Sequence, residues 1–327
     1  MTVGLKEIVE ITRNYAGLTR KGPIAEVFRD LVLEGVKGPQ LPNYGDDAAV
    51  IPQDGGYLLL ATDGIMTGLL VNEPYAAGKA SVMVTVNDIY AMGGRPLAMV
   101  NVLASGDEEQ RAQIVAGIKK GCTKLNVPMV GGHLHPDAPA QHPALSVAIL
   151  GQARQLMRSH LARPGDALVV AMDLQGRAGC KSVVSWDANS GKTTKELLDR
   201  LEVLPHIAES GWVQACKDIS NAGLLGTTAI MMENSGCGAA VDLDSIPAPP
   251  GLQLKDWLLC FQSYGFILAV PPTHIQEVLD SFEQRAVAAA VFGRVEPSPL
   301  VKVMMAGQQK TLFDFSRDEI TGITYRP

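Results

Sequence analysis

Five aspartates stand beside glycine or turn residues at the ends of apolar runs: Asp46 and Asp47 in GDDAAV, Asp63 in LATDG, Asp88 in VNDIYAMGG and Asp218 in KDIS. A carboxylate at such a junction is costly to desolvate unless something compensates it, and a hard divalent cation with oxygen ligands is the natural compensator. Taken singly, each has the commoner role of an N-cap or turn residue. As a set they point to a cation held by several carboxylates.

Three further segments carry chemistry-bearing side chains. In GGHLHPD, His133, His135 and Asp137 alternate, so an extended backbone points all three one way, as a transition-metal site or as polar loop residues. In NSGKTT, Lys192 sits where a phosphate-wrapping loop has its lysine, but Trp186 occupies the first glycine position, which favours a surface loop before a helix and leaves Lys192 as a phosphate contact. In GRAGCKSVVSWD, Arg177, Lys181 and Asp187 are candidate substrate contacts, and a solvated loop is the competing reading. The spacing assembles no Ser-His-Asp or Cys-His constellation.

The elements that must position these residues alternate between strand and helix. Helical spacing covers 5–15, 23–34, 73–94 and 107–126, and strand patterns cover 46–52, 56–64, 96–104, 127–132 and 144–153. Asp63 then closes a strand, Asn87 and Asp88 end a buried helix stopped by Gly93 and Gly94, and VPMVGG runs into a glycine turn. After the turn signal ARPGDA and the strand ALVVAMD, helices are predicted near 192–213, 221–234, 252–260 and 273–287, with strands near 238–243, 265–270, 289–295 and 300–305. A length of 327 residues suits two domains, with the boundary near 154.

Composition bounds the function. A formal charge of −6 lacks the basic footprint that binding to nucleic acid or anionic lipid needs, and no stretch approaches the ~20 apolar residues of a membrane span. Five scattered cysteines without a C-x-x-C pair signal neither a disulfide framework nor a zinc knuckle, and the N-terminus lacks a secretory apolar segment. The expectation is a cytoplasmic protein.

Read in order, GDDAAV (45–50), TDG (62–64), VNDIYAMGGRP (86–96), GGH (131–133) and DISNAGLLG (218–226) resemble the signatures of the superfamily that contains aminoimidazole ribonucleotide synthetase, thiamine-monophosphate kinase, selenophosphate synthetase and a hydrogenase maturation factor. FQSYGFILAV (261–270) is similar to the C-terminal strand region of that family. The resemblance implies an α/β (α+β) fold of two domains, 1–153 and 154–327, the first pairing with a second copy into a dimeric β-barrel and the second an α/β sandwich. It implies ATP and Mg²⁺ as cofactors, with Asp47, Asp63, Asp88 and Asp218 as metal ligands. Asp46, Asp63, Asn87, Asp88, Gly131, Gly132 and His133 become nucleotide contacts, and ATP would lie at the interface of a homodimer.

The chain also departs from the named enzymes. Residues 1–44 contain no cysteine, and Lys6, Lys21 and Lys37 lack the glycine- and cysteine-rich context that precedes the first acidic block of selenophosphate synthetase. Asn221 and Ala222 break the shorter D-I-S-D-G-L block of thiamine-monophosphate kinase, and GGHL stands where the synthetase carries GGET. The reading is a magnesium-dependent, ATP-using phosphotransferase or ligase acting on an unidentified small molecule. Its alternatives are a non-catalytic ATP-binding partner module, or an activity like that of selenophosphate synthetase or thiamine-monophosphate kinase.

Overall fold

A computed structural model describes residues 3–29 and 45–324. Residues 30–34 of the second predicted helix, and Lys37, lie outside the described residues.

The chain opens with helices α1 (Leu5–Arg13), α2 (Ala16–Thr19) and α3 (Ile24–Arg29). The first half continues with β1 (Ala49–Gln53), β2 (Gly56–Ile65), α4 (Thr67–Asn72), α5 (Pro74–Ala91), β3 (Arg95–Ala104), α6 (Glu108–Leu125), β4 (Met129–His135) and β5 (Ala144–Ala153). Its strands form one mixed sheet in the order β1-β2-β5-β3-β4. The second half holds β6 (Ala167–Met172), β7 (Arg177–Ala178), β8 (Ser185–Asp187), α7 (Thr194–Leu201), α8 (Val203–Glu209), β9 (Ala215–Asp218) and α9 (Gly223–Ser235). Then come β10 (Gly238–Asp242), α10 (Leu254–Leu259), β11 (Phe261–Gln262), β12 (Gly265–Val270), α11 (Ile275–Glu283), β13 (Ala288–Glu296), β14 (Leu300–Met305) and β15 (Gln308–Asp314). These build a seven-stranded sheet, β15-β14-β10-β13-β6-β12-β9, and a small sheet, β11-β8-β7.

The two large sheets share packing. Strand β6 is buried along its whole length, and the period of two sends Val169 and Ala171 into a core shared with α5, while Leu168, Val170 and Met172 face a second core with α1 and α9. Helix α5 is apolar on nearly every side, because the five-stranded sheet, α6 and β9 surround it. Its contact with α6 is close because of glycine. A Cβ at Gly78 would stand 2.1 Å from the Ile114 carbonyl oxygen, and one at Gly117 would stand 2.1 Å from that of Tyr75.

The predicted glycine turn after residue 130 is absent. Strand β4 runs on through Gly131, Gly132, His133 and Leu134 to His135, paired in parallel with β3, because Gly132 lets the backbone lie against Asn101, whose Oδ1 a Cβ would meet at 1.9 Å. The predicted helix at 192–213 is instead two, α7 and α8, broken near Glu202. Strands β9 and β15 have no counterpart among the sequence expectations.

Gly78→Ala and Gly117→Ala should each destabilise the protein by about 1–3 kcal/mol, since each forces α5 and α6 apart. The check is the midpoint of urea unfolding at unchanged denaturant slope.

Candidate functional site

Three of the predicted aspartates converge. Asp47 comes from the turn before β1, Asp88 from the last turns of α5 and Asp218 from the end of β9, and one carboxylate oxygen of each lies within 4.8 Å of the others. Asn87 anchors this end of α5: its side-chain amide donates to the Ser263 carbonyl at 3.4 Å, next to β12, which is hydrogen-bonded to β9. The Asp218 backbone N–H faces Asp47 Oδ2 at 3.4 Å. Helix α5 and strand β9 therefore fix the trio from two sides.

Burial controls the titration of these groups. Desolvation, with the charges of Asp218, Asp47 and Asp63 behind it, lifts the Asp88 carboxyl well above the usual range. Desolvation also raises Asp218, and it raises Asp63, which lines the adjoining cavity outside the trio. For Asp47, burial and the neighbouring acids outweigh the ammonium of Lys217 and bring the carboxyl to about 7.

Two lysines answer these four acids. Lys217, on β9 beside Asp218, points its Nζ at Asp47 Oδ1. Burial alone would drive its proton off, but Asp47 and Asp218 prevail and raise its pKa. Lys21, in the turn after α2, is pulled down by burial and by Lys217 and Arg20, and held up by Asp218 and Asp63. Its position depends on Gly17: a Cβ there would stand 1.9 Å from the Asn221 carbonyl oxygen, so α2 can dock on the segment after Asp218 only as glycine permits. Four carboxylates against two ammonium groups leave two negative charges when all are ionised, and an all-oxygen donor set of this spacing suits one hard divalent cation.

Asp63, Asp88 and Asp218 close one part of a cavity of about 400 Å³. Its floor is the face of α5 from Tyr75 to Asp88, its wall is the small sheet with Arg177, Trp186 and Asp187, and Lys21 and Asn221 complete the acidic part. Arg177 and Asp187, candidate substrate contacts in the sequence, both line it. Lys181 is held at the neighbouring rim by its backbone N–H, which donates to Glu73 at 3.1 Å.

The remaining predicted residues are placed elsewhere. Asp46 turns away from the trio: its carboxylate pairs with the Arg158 guanidinium and accepts the Ser159 N–H at 2.9 Å, which consumes it in joining the segment before β1 to the segment before β6. Gly131 and His133 pair with Val100 and Val102 and so lie on the sheet face opposite to Asp63, whose partner Val147 is buried beneath α5; Gly132 pairs with Asn101 between them. His133 and His135 do point one way, with ring centroids 4.6 Å apart. Among the described residues, however, the trio of aspartates is the group of metal-binding side chains whose ligand atoms converge. Lys192 is spent on Asp173 at 2.9 Å and on the carbonyls of Gln175 and Ala188 at 2.6 and 2.7 Å, which fills its three donors and leaves none for a phosphate.

Family models describe the same two halves. AIR synthase related protein, N-terminal domain, matches residues 45–153, and AIR synthase related protein, C-terminal domain, matches residues 163–306. The chain belongs to the AIR synthase related proteins. It is 39% identical over 280 residues to an uncharacterized protein of Synechocystis sp., covering 86% of each chain. Two solved structures share the fold: Thermotoga maritima PurL complexed with ATP, with a TM-score of 0.69 and 22% identity over 81% of this chain and 45% of PurL, and AaThiL complexed with AMPPCP and TMP, with a TM-score of 0.66 and 20% identity over 96% and 100%. The chain thus spans about half the length of PurL. Mixed α/β architecture and membership of the PurM-like superfamily follow from these matches, and among the described residues no helix is long and apolar enough to cross a membrane.

Lys217 is the residue of this AIR synthase related chain that motif reading passed over. A lysine one place from the end of a short apolar strand, QACKD, needs buried acids around it, and that is the signal that marks it. Lys21 gave no such signal, because nothing in its neighbourhood shows that Gly17 docks it on the segment after Asp218.

The raised carboxyls set a pH dependence. The folded state holds these protons more tightly than the unfolded chain, so their contribution to stability is complete below the ordinary carboxylate range and is lost as pH rises through the folded values, about 7 for Asp47. Metal-free protein should therefore lose thermal stability between about pH 4 and pH 7. Asp88→Asn should flatten that decline and raise the unfolding temperature at pH 7.5 by on the order of 2 °C, read by calorimetry in EDTA.

Proposed function

We propose that this protein is a magnesium-dependent enzyme that transfers a phosphoryl group from ATP to a small-molecule acceptor. The observation that carries the reading is the convergence of Asp47, Asp88 and Asp218, with Asp88, Asp218, Asp63 and Lys21 lining one cavity and Lys217 paired with Asp47 beside it. Complexes of PurL with ATP and of AaThiL with AMPPCP support the nucleotide on the same fold.

Phosphoryl transfer requires little covalent chemistry from a protein; it requires alignment and neutralised charge. Asp47, Asp88 and Asp218, with Asp63 beside them, would hold Mg²⁺, which when bound would supply charge neutralisation on the phosphate oxygens. The acceptor nucleophile forms its bond to the γ-phosphorus as the bond to the bridging oxygen breaks, and ADP leaves. Lys21 lines the same space and offers a cation to the transferring group. Lys217 offsets part of the cost of burying Asp47 and holds its carboxylate in place beside Asp218.

The outer face of the five-stranded sheet supports a homodimer. Leu60 is 46% exposed, Val100 44% and Val102 46%, and with His133 and His135 they line neighbouring strands on the side away from α5. Pairing of this face with a second copy would bring Gly131, Gly132 and His133 of one chain to an interface, where nucleotide contact becomes geometrically open to them. Val102→Glu places a charge at its centre and should yield monomers in sedimentation equilibrium, whereas a parent that already sediments as a monomer would remove this part of the reading.

Mg²⁺ at 100 times its dissociation constant should stabilise the parent by about 2.7 kcal/mol, and Asp88→Asn or Asp218→Asn should abolish that gain. Lys21→Met should lower turnover of ATP by about 100-fold with the Mg²⁺ stabilisation retained, the loss expected when one charge-stabilising donor is removed. Variants of Asp88 and Asp218 that bind Mg·ATP as tightly as the parent, measured by isothermal titration, would show that the cluster is not the nucleotide site.

A further inference from the structure

Lys21 stands in the turn between α2 and α3, and a side chain in a turn is only as fixed as the segments that flank it. The α2 side is held by the approach of Gly17 to the Asn221 carbonyl and by the Tyr15 hydroxyl, which donates to Asn221 Oδ1 at 3.3 Å. The α3 side begins at Lys21 itself, whose carbonyl accepts the N–H of Ile24 at 3.1 Å. The N–H of Ala25, a first-turn donor that α3 cannot satisfy internally, donates to the Thr321 carbonyl at 3.1 Å. Gly322 lies so close that a Cβ there would stand 2.9 Å from that of Ala25. A helix of six residues is marginal by itself, so α3 takes its place from residues 320–322.

One buried carboxylate fixes residues 320–322 in turn. Glu233, near the C-terminal end of α9 and 4% exposed, accepts the N–H groups of Ile320 and Thr321 at 2.8 Å each. It also accepts the Gly322 N–H at 3.3 Å and the Thr321 hydroxyl at 2.6 Å. Among the described residues no cation pairs with it. A buried carboxylate without a counter-ion is costly unless donors converge on it, and here four donors meet two oxygens. The next residue, Asn234, donates to the Gly45 carbonyl at 2.9 Å, two positions before Asp47. The C-terminal end of α9 therefore gathers both the segment that leads to Asp47 and the segment that supports Lys21.

Glu233 does not line the cavity. It lies ten residues beyond Gly223 on α9, a rise of about 15 Å, and reaches the acidic end only through the segments it holds. Apolar contact, which seats α1 through Leu5 and Ile8, is non-directional. Four hydrogen bonds to one carboxylate are directional, so they set the register of residues 320–322 and with it the orientation of α3 and of the turn before it.

We infer that Glu233 is a positioning residue for Lys21: its carboxylate fixes residues 320–322, the Thr321 carbonyl fixes the start of α3, and Lys21 is thereby held at the acidic end of the cavity. The consequence for catalysis rests on the phosphoryl-transfer reading; the hold of Glu233 on α3 does not.

Hydrogen exchange read by mass spectrometry on the full chain tests that hold. Glu233→Gln keeps the side-chain volume but turns one acceptor into a donor, so exchange of the amides in residues 22–27 should rise at least tenfold, with α5 and β9 as in the parent. Gly322→Ala, strained at a φ of +68° and pressed on Ala25 without touching Glu233, should do the same and carries the test where Glu233→Gln fails to fold. Unchanged exchange over 22–27 overturns the proposal, and an equal rise in α5 and β9 overturns it as general loosening. A double-mutant cycle tests the role. Glu233→Gln should lower ATP turnover at least tenfold in the parent and less than twofold in Lys21→Met, because a residue that acts through Lys21 has nothing to place once the amine is gone. Equal losses in both backgrounds overturn the positioning role. A parent without ATP turnover overturns the phosphoryl-transfer reading instead, and the exchange result still decides whether Glu233 holds α3.

Discussion

The constraint on which the structure turns is the burial of like charges. Asp47, Asp88 and Asp218 sit in a protein interior that disfavours each carboxylate singly and disfavours three together more strongly. A fold tolerates this only where the surrounding elements over-determine the geometry, and here they do. Strand β9 is hydrogen-bonded to β12, α5 is packed against the five-stranded sheet, α6 and β9 and tied to the turn before β12 through Asn87, and Lys217 lies against Asp47. Lys217 is an internal cation that lowers the cost without removing it. What remains is a repulsion that protonation relieves, as the raised carboxyls show, and that a divalent cation would relieve as well.

The five-stranded sheet divides the labour between its faces. One face packs on α5 and carries Asp63 toward the acids; the other exposes valines, a leucine and the histidines of β4. Period-two alternation produces this division without any special motif, since residues one step apart on β2 and β4 must point oppositely. It follows that Gly131 and His133 lie on the face opposite to Asp63, while Gly132, paired with Asn101, lies between them. The separation is a topological fact, and it is the reason that a second copy enters the functional reading.

Much of the fold was legible in the sequence, and what escaped did so for physical reasons. Strands β2, β3 and β5 and helices α5 and α6 follow from period and punctuation, because each is long and buries a definite face. Strand β4 was cut short at its glycines, where a close backbone approach to Asn101, not a turn, was their purpose. Asp46 and Asp47 are adjacent and chemically identical, yet Arg158 claims the first and Lys217 the second. Neither partner is near in sequence, so local pattern had no means of dividing the pair. Lys192 illustrates the converse: its motif suggested phosphate, while Asp173 and two carbonyls, brought together by the fold, use its donors.

The cavity reconciles the acidic whole with anionic chemistry. On the phosphoryl-transfer reading a net negative protein must segregate its charges, since a uniform acidic field would repel an anionic nucleotide before it arrived. Segregation along α5 achieves this with one rigid element. Its C-terminal turns hold Asp88 against the trio, and its N-terminal half carries Lys79 beside α6. The glycine contacts between α5 and α6 therefore do more than pack a core, because widening that contact by one methyl group would move the lysines of α6 away from Lys79. Helix packing and charge segregation are thus set by the same few residues.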